Sequence, residues 1–266
     1  RGNDDTSLVS MKNISKRFGD FVANDDVTFD LLRGEVHALL GENGAGKTTL
    51  MNILYGLYQT DNGEIVVDGK KVNFSSPTNA IKAGVGMVHQ KFQVVPTLNV
   101  VQNILLGTNR SKLFLNISES TDRVVQLSER YNLNIDPLAP INSLSAGQIQ
   151  RVEILKLLFR NARIIILDEP TSVLTIQETN GLFEIIRKLV SNDCGVVFIS
   201  HKLYQVTQIS NRVSVMRDGA LIGTRRTTEV DERELANWMV GREVIFRLDK
   251  PKQKPGANLL HAINLS

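Results

Sequence analysis

Nine consecutive residues carry the densest chemistry in this chain: Gly41, Glu42, Asn43, Gly44, Ala45, Gly46, Lys47, Thr48 and Thr49. The run fits G-x-x-x-x-G-K-[ST], with Gly41, Gly46, Lys47 and Thr48 at the fixed places. Glycines let a backbone curl until several N–H groups point at one phosphate group. A helix starting there adds its partial positive charge. Lys47 is then placed to reach β- and γ-phosphates, and the Thr48 hydroxyl to ligate Mg²⁺. The alternative, a glycine turn that binds nothing, would not need the apolar run of residues 36–40 before it or the helical run of residues 48–55 after it.

Other candidates lie at the ends of apolar runs. Asp168 and Glu169 close RIIILDE, a run apolar enough for a parallel strand covered on both faces. Ligands bind at the C-terminal ends of such strands. Adjacent strand residues face opposite ways, so one acid can hold Mg²⁺ while the other faces a water. Gln90 follows the run VGMV, and His201 follows GVVFIS. Such a glutamine is equally well satisfied by solvent, unless it serves Mg²⁺ or the water as a neutral ligand. A lone histidine is more often structural than catalytic, unless it sits beside a phosphate. Ser145, within Leu144, Ser145, Ala146, Gly147 and Gln148, is a good N-cap for the helical run after it. Taken alone, that motif is a plain capped helix. Phe18 and Phe21 flank a glycine turn in KRFGDF. Such a ring can stack on a flat ligand, though a loop aromatic more often covers core.

The elements that must position these groups follow from pattern. Strands are expected over residues 7–14, 27–32, 36–40, 85–88, 163–169 and 195–200, and hairpins over 64–72 and 212–223 with Asp68-Gly69 and Asp218-Gly219 at their turns. Helices are expected over 48–55, 77–83, 177–191 and 229–240. From Pro96 to Arg160 strand-like runs give way to helical ones, broken by Pro137 and Pro140, so this stretch reads as a helical insertion. The fold class is therefore α/β.

Composition excludes several functions. The 266 residues are 42% hydrophobic and 22% charged, with net charge +3 and no basic stripe for nucleic acid. Cys194 is the single cysteine, so no disulfide framework can form within the chain. Nothing beside it would activate a thiolate, and it reads as structural. No apolar run approaches the roughly 18–20 residues that span a bilayer, and none reads as a secretory leader.

In order, GENGAGKT, Gln90, LSAGQ, ILDEPTS and His201 together resemble the ATP-binding domain of ABC transporters, over residues 8–247. The resemblance implies a P-loop NTPase with a RecA-like parallel core, an antiparallel β subdomain and a helical insertion at about 96–160. It implies ATP and Mg²⁺ as ligands. It implies that Phe18 stacks on adenine, Asp168 supports Mg²⁺, Glu169 is the general base, His201 contacts the γ-phosphate, and Gln90 couples Mg²⁺ and water to a membrane partner. It also implies that residues 144–148 act in trans, closing over ATP held by a second domain. Two oriented surfaces enclose a γ-phosphate and exclude water better than one.

YGLYQTDNGEIVVDGK, QRVEILKLLFR, PTSVLT and WMVGRE look like ATPases of bacterial nucleoside and simple-sugar importers; MVHQKFQVVPTL is similar to the nucleoside branch. That subgroup implies permease subunits, a substrate-binding protein acting indirectly, and a peripheral place on the cytoplasmic face of the cell membrane. A permease helix would dock near residues 90–103. Such ATPases carry two ATP-binding domains. Here residues 258–266 echo residues 7–15 after a linker at 248–257, as if a second domain began there. Residues 7–247 would be the first domain, paired with that second one or with another copy of itself. Two positions depart from the wider pattern: Ala146 where glycine is usual, and Thr175 where aspartate is usual. The competing readings are a soluble ATPase acting on ribosomes or nucleic acid, which lacks support from any basic stripe or coiled-coil insertion, and a phosphotransferase, which would not need LSAGQ.

Overall fold

The computed structural model describes residues 7–107 and 117–242. The linker, the second-domain echo and residues 243–247 lie outside the described residues.

Two sheets share one hydrophobic wall. The first is antiparallel, in the order β2-β1-β4-β5, from β1 (Ser7–Phe18), β2 (Phe21–Leu32), β4 (Asn62–Val67) and β5 (Lys70–Val72). The second runs β10-β9-β3-β8-β7-β6, from β3 (Val36–Leu40), β6 (Val85–Val88), β7 (Ile164–Asp168), β8 (Gly195–Ser200), β9 (Arg212–Arg217) and β10 (Ala220–Arg226). Strands β3, β6, β7 and β8 are buried at every residue. That is why they read as unbroken apolar runs, and why they pair in parallel with layers on both faces. Only β10 runs antiparallel, back along β9 through the Asp218-Gly219 turn.

The helices are α1 (Lys47–Leu54), α2 (Pro77–Lys82), α3 (Val100–Leu105), α4 (Ile117–Arg130), α5 (Ala146–Phe159), α6 (Ile176–Val190), α7 (Leu203–Ile209) and α8 (Glu232–Val240). Alternation along the central strands splits the core in two. Leu40, Ile165, Leu167, Val196 and Phe198 face a cluster built with α3 to α8. Leu39, Ile164, Ile166, Val197 and Ile199 face a second cluster built with α1 and the antiparallel sheet. Helix α5 is apolar around most of its circumference and is buried accordingly, from Val152 to Leu158.

Expected elements and observed ones agree closely, with four differences. Strands β1 and β2 reach past the expected 7–14 and 27–32 and pair as one hairpin up to Phe18 and Phe21. Helix α7 has no strong sequence period, and it forms because Val206 and Ile209 reach the helical-side core. The last helix begins at Glu232, three residues late, because Asp231 caps it by accepting from Glu234 N–H at 2.7 Å. Strand β7 stops at Asp168, and Glu169 takes a left-handed backbone with φ 50°. The strand alternation expected to separate the two acids therefore does not apply to Glu169, which is aimed by the turn.

The edge of the parallel sheet away from the phosphate loop holds a buried polar cluster. His37 Nδ1–H donates to Asp30 O at 2.7 Å, which leaves Nε2 to accept from the Ser214 hydroxyl at 2.8 Å. Arg212 grips Asp30 in two bonds, at 2.8 and 2.6 Å, and reaches Glu35 at 3.3 Å. Burial first, and then the Arg212 charge, lowers the His37 pKa from 6.5 to about 4. Unfolded chains would protonate this ring below about pH 6.5, while the folded chain resists until about pH 4. The unfolded state thus binds more protons in that window, and stability falls as pH falls through it. The shift corresponds to about 3 kcal/mol. Glu35 opposes this, because burial raises its pKa and the folded chain takes up its proton first. Comparing urea unfolding of the parent with His37→Gln between pH 7 and pH 4 isolates the histidine: the parent should lose about 3 kcal/mol more. Equal pH slopes would refute the assignment.

Candidate functional site

Four parallel strands deliver the candidate residues to one edge. Leu40 of β3 lies level with Ser200 of β8, Asp168 of β7 with Ile199, and Val88 of β6 with Leu167. Just beyond those pairs come Gly41, His201, Glu169 and His89-Gln90.

The phosphate loop is wedged between β2 and β9, and this explains its glycines. Gly46 has φ 95°, and a Cβ there would strike Ala23 O and stand 2.8 Å from Asn24 Nδ2. Gly41 has φ 156°, and a Cβ would strike Met216 O. Any side chain at either place forces the loop out of its slot. Ala45 packs into the cluster built with α1 and the antiparallel sheet, the base-side core, while Glu42, Asn43 and Gly44 are exposed at the loop's tip. Lys47 folds back, donating to Gly41 O at 2.8 Å and Glu42 O at 2.9 Å. Burial lowers the Lys47 pKa, while the Glu169 and Asp168 charges pull it up. Thr49 follows in the first turn of α1 and is half-buried.

Thr48 Oγ1 donates to Asp168 Oδ2 at 3.2 Å, so the loop and the end of β7 meet directly. Burial raises the Asp168 pKa; the Thr48 bond opposes the rise, Glu169 adds to it, and Lys47 opposes it. A cation beside this carboxylate would reverse the penalty. Glu169 N–H donates to Ile199 O at 3.1 Å, which keeps the turn in register with β8. Its Oε1 accepts from His201 Nδ1–H at 2.8 Å. A carboxylate only accepts, so the ring's Nε2 is left for another partner. His201 is half-exposed, whereas only 12% of the Glu169 side chain is exposed.

Gln90 stands exposed at the end of β6. Its neighbour His89 is half-buried against Tyr55, ring centroids 5.6 Å apart. Burial lowers the His89 pKa, against the pull of Asp168 and Glu153. Phe18 ends β1, exposed, with Tyr58 edge-on at 5.2 Å and Lys16 Nζ 5.5 Å from its centroid. The geometry thus brings Lys47, Thr48, Asp168, Glu169 and His201 into one hydrogen-bonded or charge-coupled group, with Gln90 on the same edge and Phe18 on the antiparallel sheet.

The LSAGQ segment sits apart, at the start of α5. Leu144 packs on the helical-side core and Ser145 caps the helix. Ser145 Oγ accepts from Gln148 N–H at 3.3 Å, and Gln148 Oε1 accepts from Ser145 N–H at 2.9 Å. This reciprocal pair satisfies two donors the helix would otherwise leave orphaned. Ala146 is the first residue of the helix and Gly147 is buried. Thr175 caps α6 in the same manner, with Glu178, so its hydroxyl does the capping work an aspartate would do there.

Several supporting residues gave no sequence signal. Lys156 Nζ donates to Gln93 O at 2.6 Å and pairs with the buried Glu153 at 3.0 Å, which ties α5 to the segment after Gln90. Thr171 Oγ1 donates to Gln205 Oε1 at 2.6 Å, which pins the turn after Glu169 to α7. Glu178 bridges α6 to the LSAGQ segment.

A phosphate loop between a buried parallel strand and a helix, meeting an acid from a second parallel strand, defines a P-loop nucleotide-binding domain. The chain belongs to the ABC transporter family, whose sequence model matches residues 24–172. It is 42% identical to the glucose import ATP-binding protein TsgD13 of Haloferax volcanii, over 97% of this chain and 52% of that protein. It is 46% identical to the nucleoside import ATP-binding protein NupA of Lactococcus lactis, over 94% of this chain and 49% of that protein. The chain spans about half the length of these curated relatives. Its fold matches the ADP conformation of MJ1267, an ATP-binding cassette of an ABC transporter, with TM-score 0.79 and 25% identity over 89% of this chain and 99% of that one.

Proposed function

We propose that this chain is one ATP-binding and ATP-hydrolysing domain of an importer for a nucleoside or a simple sugar. The observation that carries the chemistry is the convergence of Lys47, Thr48, Asp168, Glu169 and His201 at one strand edge. In this reading the backbone N–H groups of residues 41–49 cradle the phosphates, and Lys47 leaves the Gly41 and Glu42 carbonyls to reach the β- and γ-phosphates. Phe18 stacks on the base. Glu169 takes the proton of the attacking water. His201, oriented by its Nδ1–H bond to Glu169, presents Nε2 to the γ-phosphate.

The residues fit Mg²⁺. The Thr48 hydroxyl and the Asp168 carboxylate are hard oxygen donors already 3.2 Å apart, and Gln90 brings a neutral amide oxygen to the same edge. Mg²⁺ would take its remaining oxygens from phosphates and water. When bound, Mg²⁺ neutralises charge on the phosphates.

The LSAGQ segment would act in trans. Asp168 and Glu169 approach a γ-phosphate from one side only, and exposed Ser145 offers a second surface on a partner domain. Residues 7–247 would form the first domain, 248–257 a linker and 258–266 the start of a second. Permease subunits would meet the surface near residues 90–103, with a substrate-binding protein acting through them, on the cytoplasmic face of the membrane. Among the described residues no helix is long and apolar enough to cross a membrane. The import reading takes its support from the relatives' named functions.

Deleting the gene should abolish ATP-dependent uptake of radiolabelled nucleoside or of labelled hexose or pentose by whole cells, and restoring it should return uptake. Full uptake of every one of these solutes in the deletion strain would overturn the import reading.

A further inference from the structure

The donors of the LSAGQ segment are already spoken for. Ser145 Oγ–H donates to Glu178 Oε1 at 2.9 Å, and Gly147 N–H donates to the same oxygen at 3.1 Å. A hydroxyl and a backbone amide at the start of a 14-residue helix thus converge on one anionic oxygen. That oxygen sits close: a Cβ on Gly147 would stand 2.6 Å from it. A phosphate oxygen and the Glu178 oxygen cannot both occupy that place.

The other oxygen of the same carboxylate has a separate task. Glu178 Oε2 accepts from Thr175 N–H at 3.0 Å and from Thr175 Oγ1–H at 3.2 Å, closing the cap of α6. Oε1 is not needed for that cap. The Thr175 amide first, and the Ser145 hydroxyl next, hold the Glu178 carboxyl below the usual glutamate range, so it is ionised at neutral pH.

We propose that Glu178 is an internal competitor for the LSAGQ donors, an anion that stands where a phosphate oxygen of the partner domain's ATP must go. Closure over that ATP gains Ser145 Oγ–H and Gly147 N–H only by displacing Oε1. Glu178 therefore sets the ATP concentration at which two domains close. This rests on the trans reading of LSAGQ given above. A brace that merely held the segment in shape would act with the opposite sign, since its loss would weaken closure.

The test uses the 266-residue chain carrying Glu169→Gln, to slow turnover, and follows dimer formation by sedimentation across a MgATP titration. Four chains are compared: Glu169→Gln alone, and with Glu178→Ala, Glu178→Gln or Ser145→Arg. Glu178→Gln keeps an acceptor for the α6 cap and removes the charge, so it guards against misfolding of the alanine variant. Both Glu178 variants should dimerise at about tenfold lower ATP, the scale of one charge-assisted hydrogen bond released from competition. Ser145→Arg should not dimerise. An unchanged or higher ATP midpoint in both Glu178 variants overturns the competitor and leaves the trans reading standing. Dimerisation of Ser145→Arg at the parent midpoint overturns the trans reading itself. If the parent stays monomeric, dimers in the Glu178 variants support the proposal, and monomers throughout overturn it for this chain.

Discussion

Glu169→Gln is expected to bind MgATP as the parent does and to release phosphate at least about a hundredfold more slowly, within the usual range for loss of a general base. The amide is nearly isosteric, so the left-handed turn at Glu169 and its N–H bond to Ile199 O are kept. What is lost is the acceptor of a proton. The His201 contact also changes, because an amide oxygen attracts Nδ1–H less than a carboxylate does. The two effects are separable. His201→Ala removes the ring and leaves the carboxylate, so it should cost less in rate than Glu169→Gln if Glu169 is the base. Phosphate-release kinetics under saturating MgATP, with binding followed by a fluorescent ATP analogue, decides the matter. Parent-rate hydrolysis by Glu169→Gln would remove Glu169 from the role.

Lys47→Ala is expected to weaken ATP binding on the order of a hundredfold, the scale of a lost bond to a charged group at roughly 1.5–3 kcal/mol. In the structure Lys47 is buried and bonded to the Gly41 and Glu42 carbonyls, so truncation also removes a donor from each, Glu42 O keeping only Ala45 N–H at 3.2 Å. Loop distortion and loss of charge predict different things. Lys47→Arg keeps the charge but not the fit, because a guanidinium is broader than the ammonium seated on the Gly41 and Glu42 carbonyls. It should bind nearly as poorly as alanine. Isothermal titration of ATP against the three chains measures this. Equal affinity in Lys47→Ala and the parent would show that the loop backbone alone holds the phosphates.

The central fold was legible because its strands are buried on both faces. Apolar runs such as RIIIL and GVVFI are hard to place anywhere but a parallel sheet, and the residues after them then fall on one edge. The phosphate loop was legible because Gly41 and Gly46 each answer a specific backbone approach, which leaves a fixed spacing in the sequence. The left-handed turn at Glu169 was not legible, since a non-glycine residue at φ 50° leaves no mark on composition. Glu178 and Lys156 were not legible either. Each acts on a partner far away in the chain, Ser145 and Gln93, and a charged residue on a helix usually signals a solvated face. Helix α7 is short, and tertiary packing rather than period decides it.

The division of the core into two clusters bears on how such a chain can diverge over generations. The residues that settle the phosphate loop from behind, among them Leu39, Ala45, Leu50 and Met51, belong wholly to the base-side cluster. Those that shape α3, α4 and α5, the layer nearest the proposed permease surface, belong wholly to the other. The central strands divide the two sets, sending alternate residues such as Leu39 and Leu40 to opposite clusters. Substitutions in α3 and α4 can therefore be absorbed on one side while the packing behind the phosphate loop stays constant, whereas α5 is constrained twice, because it also carries the LSAGQ segment at its start.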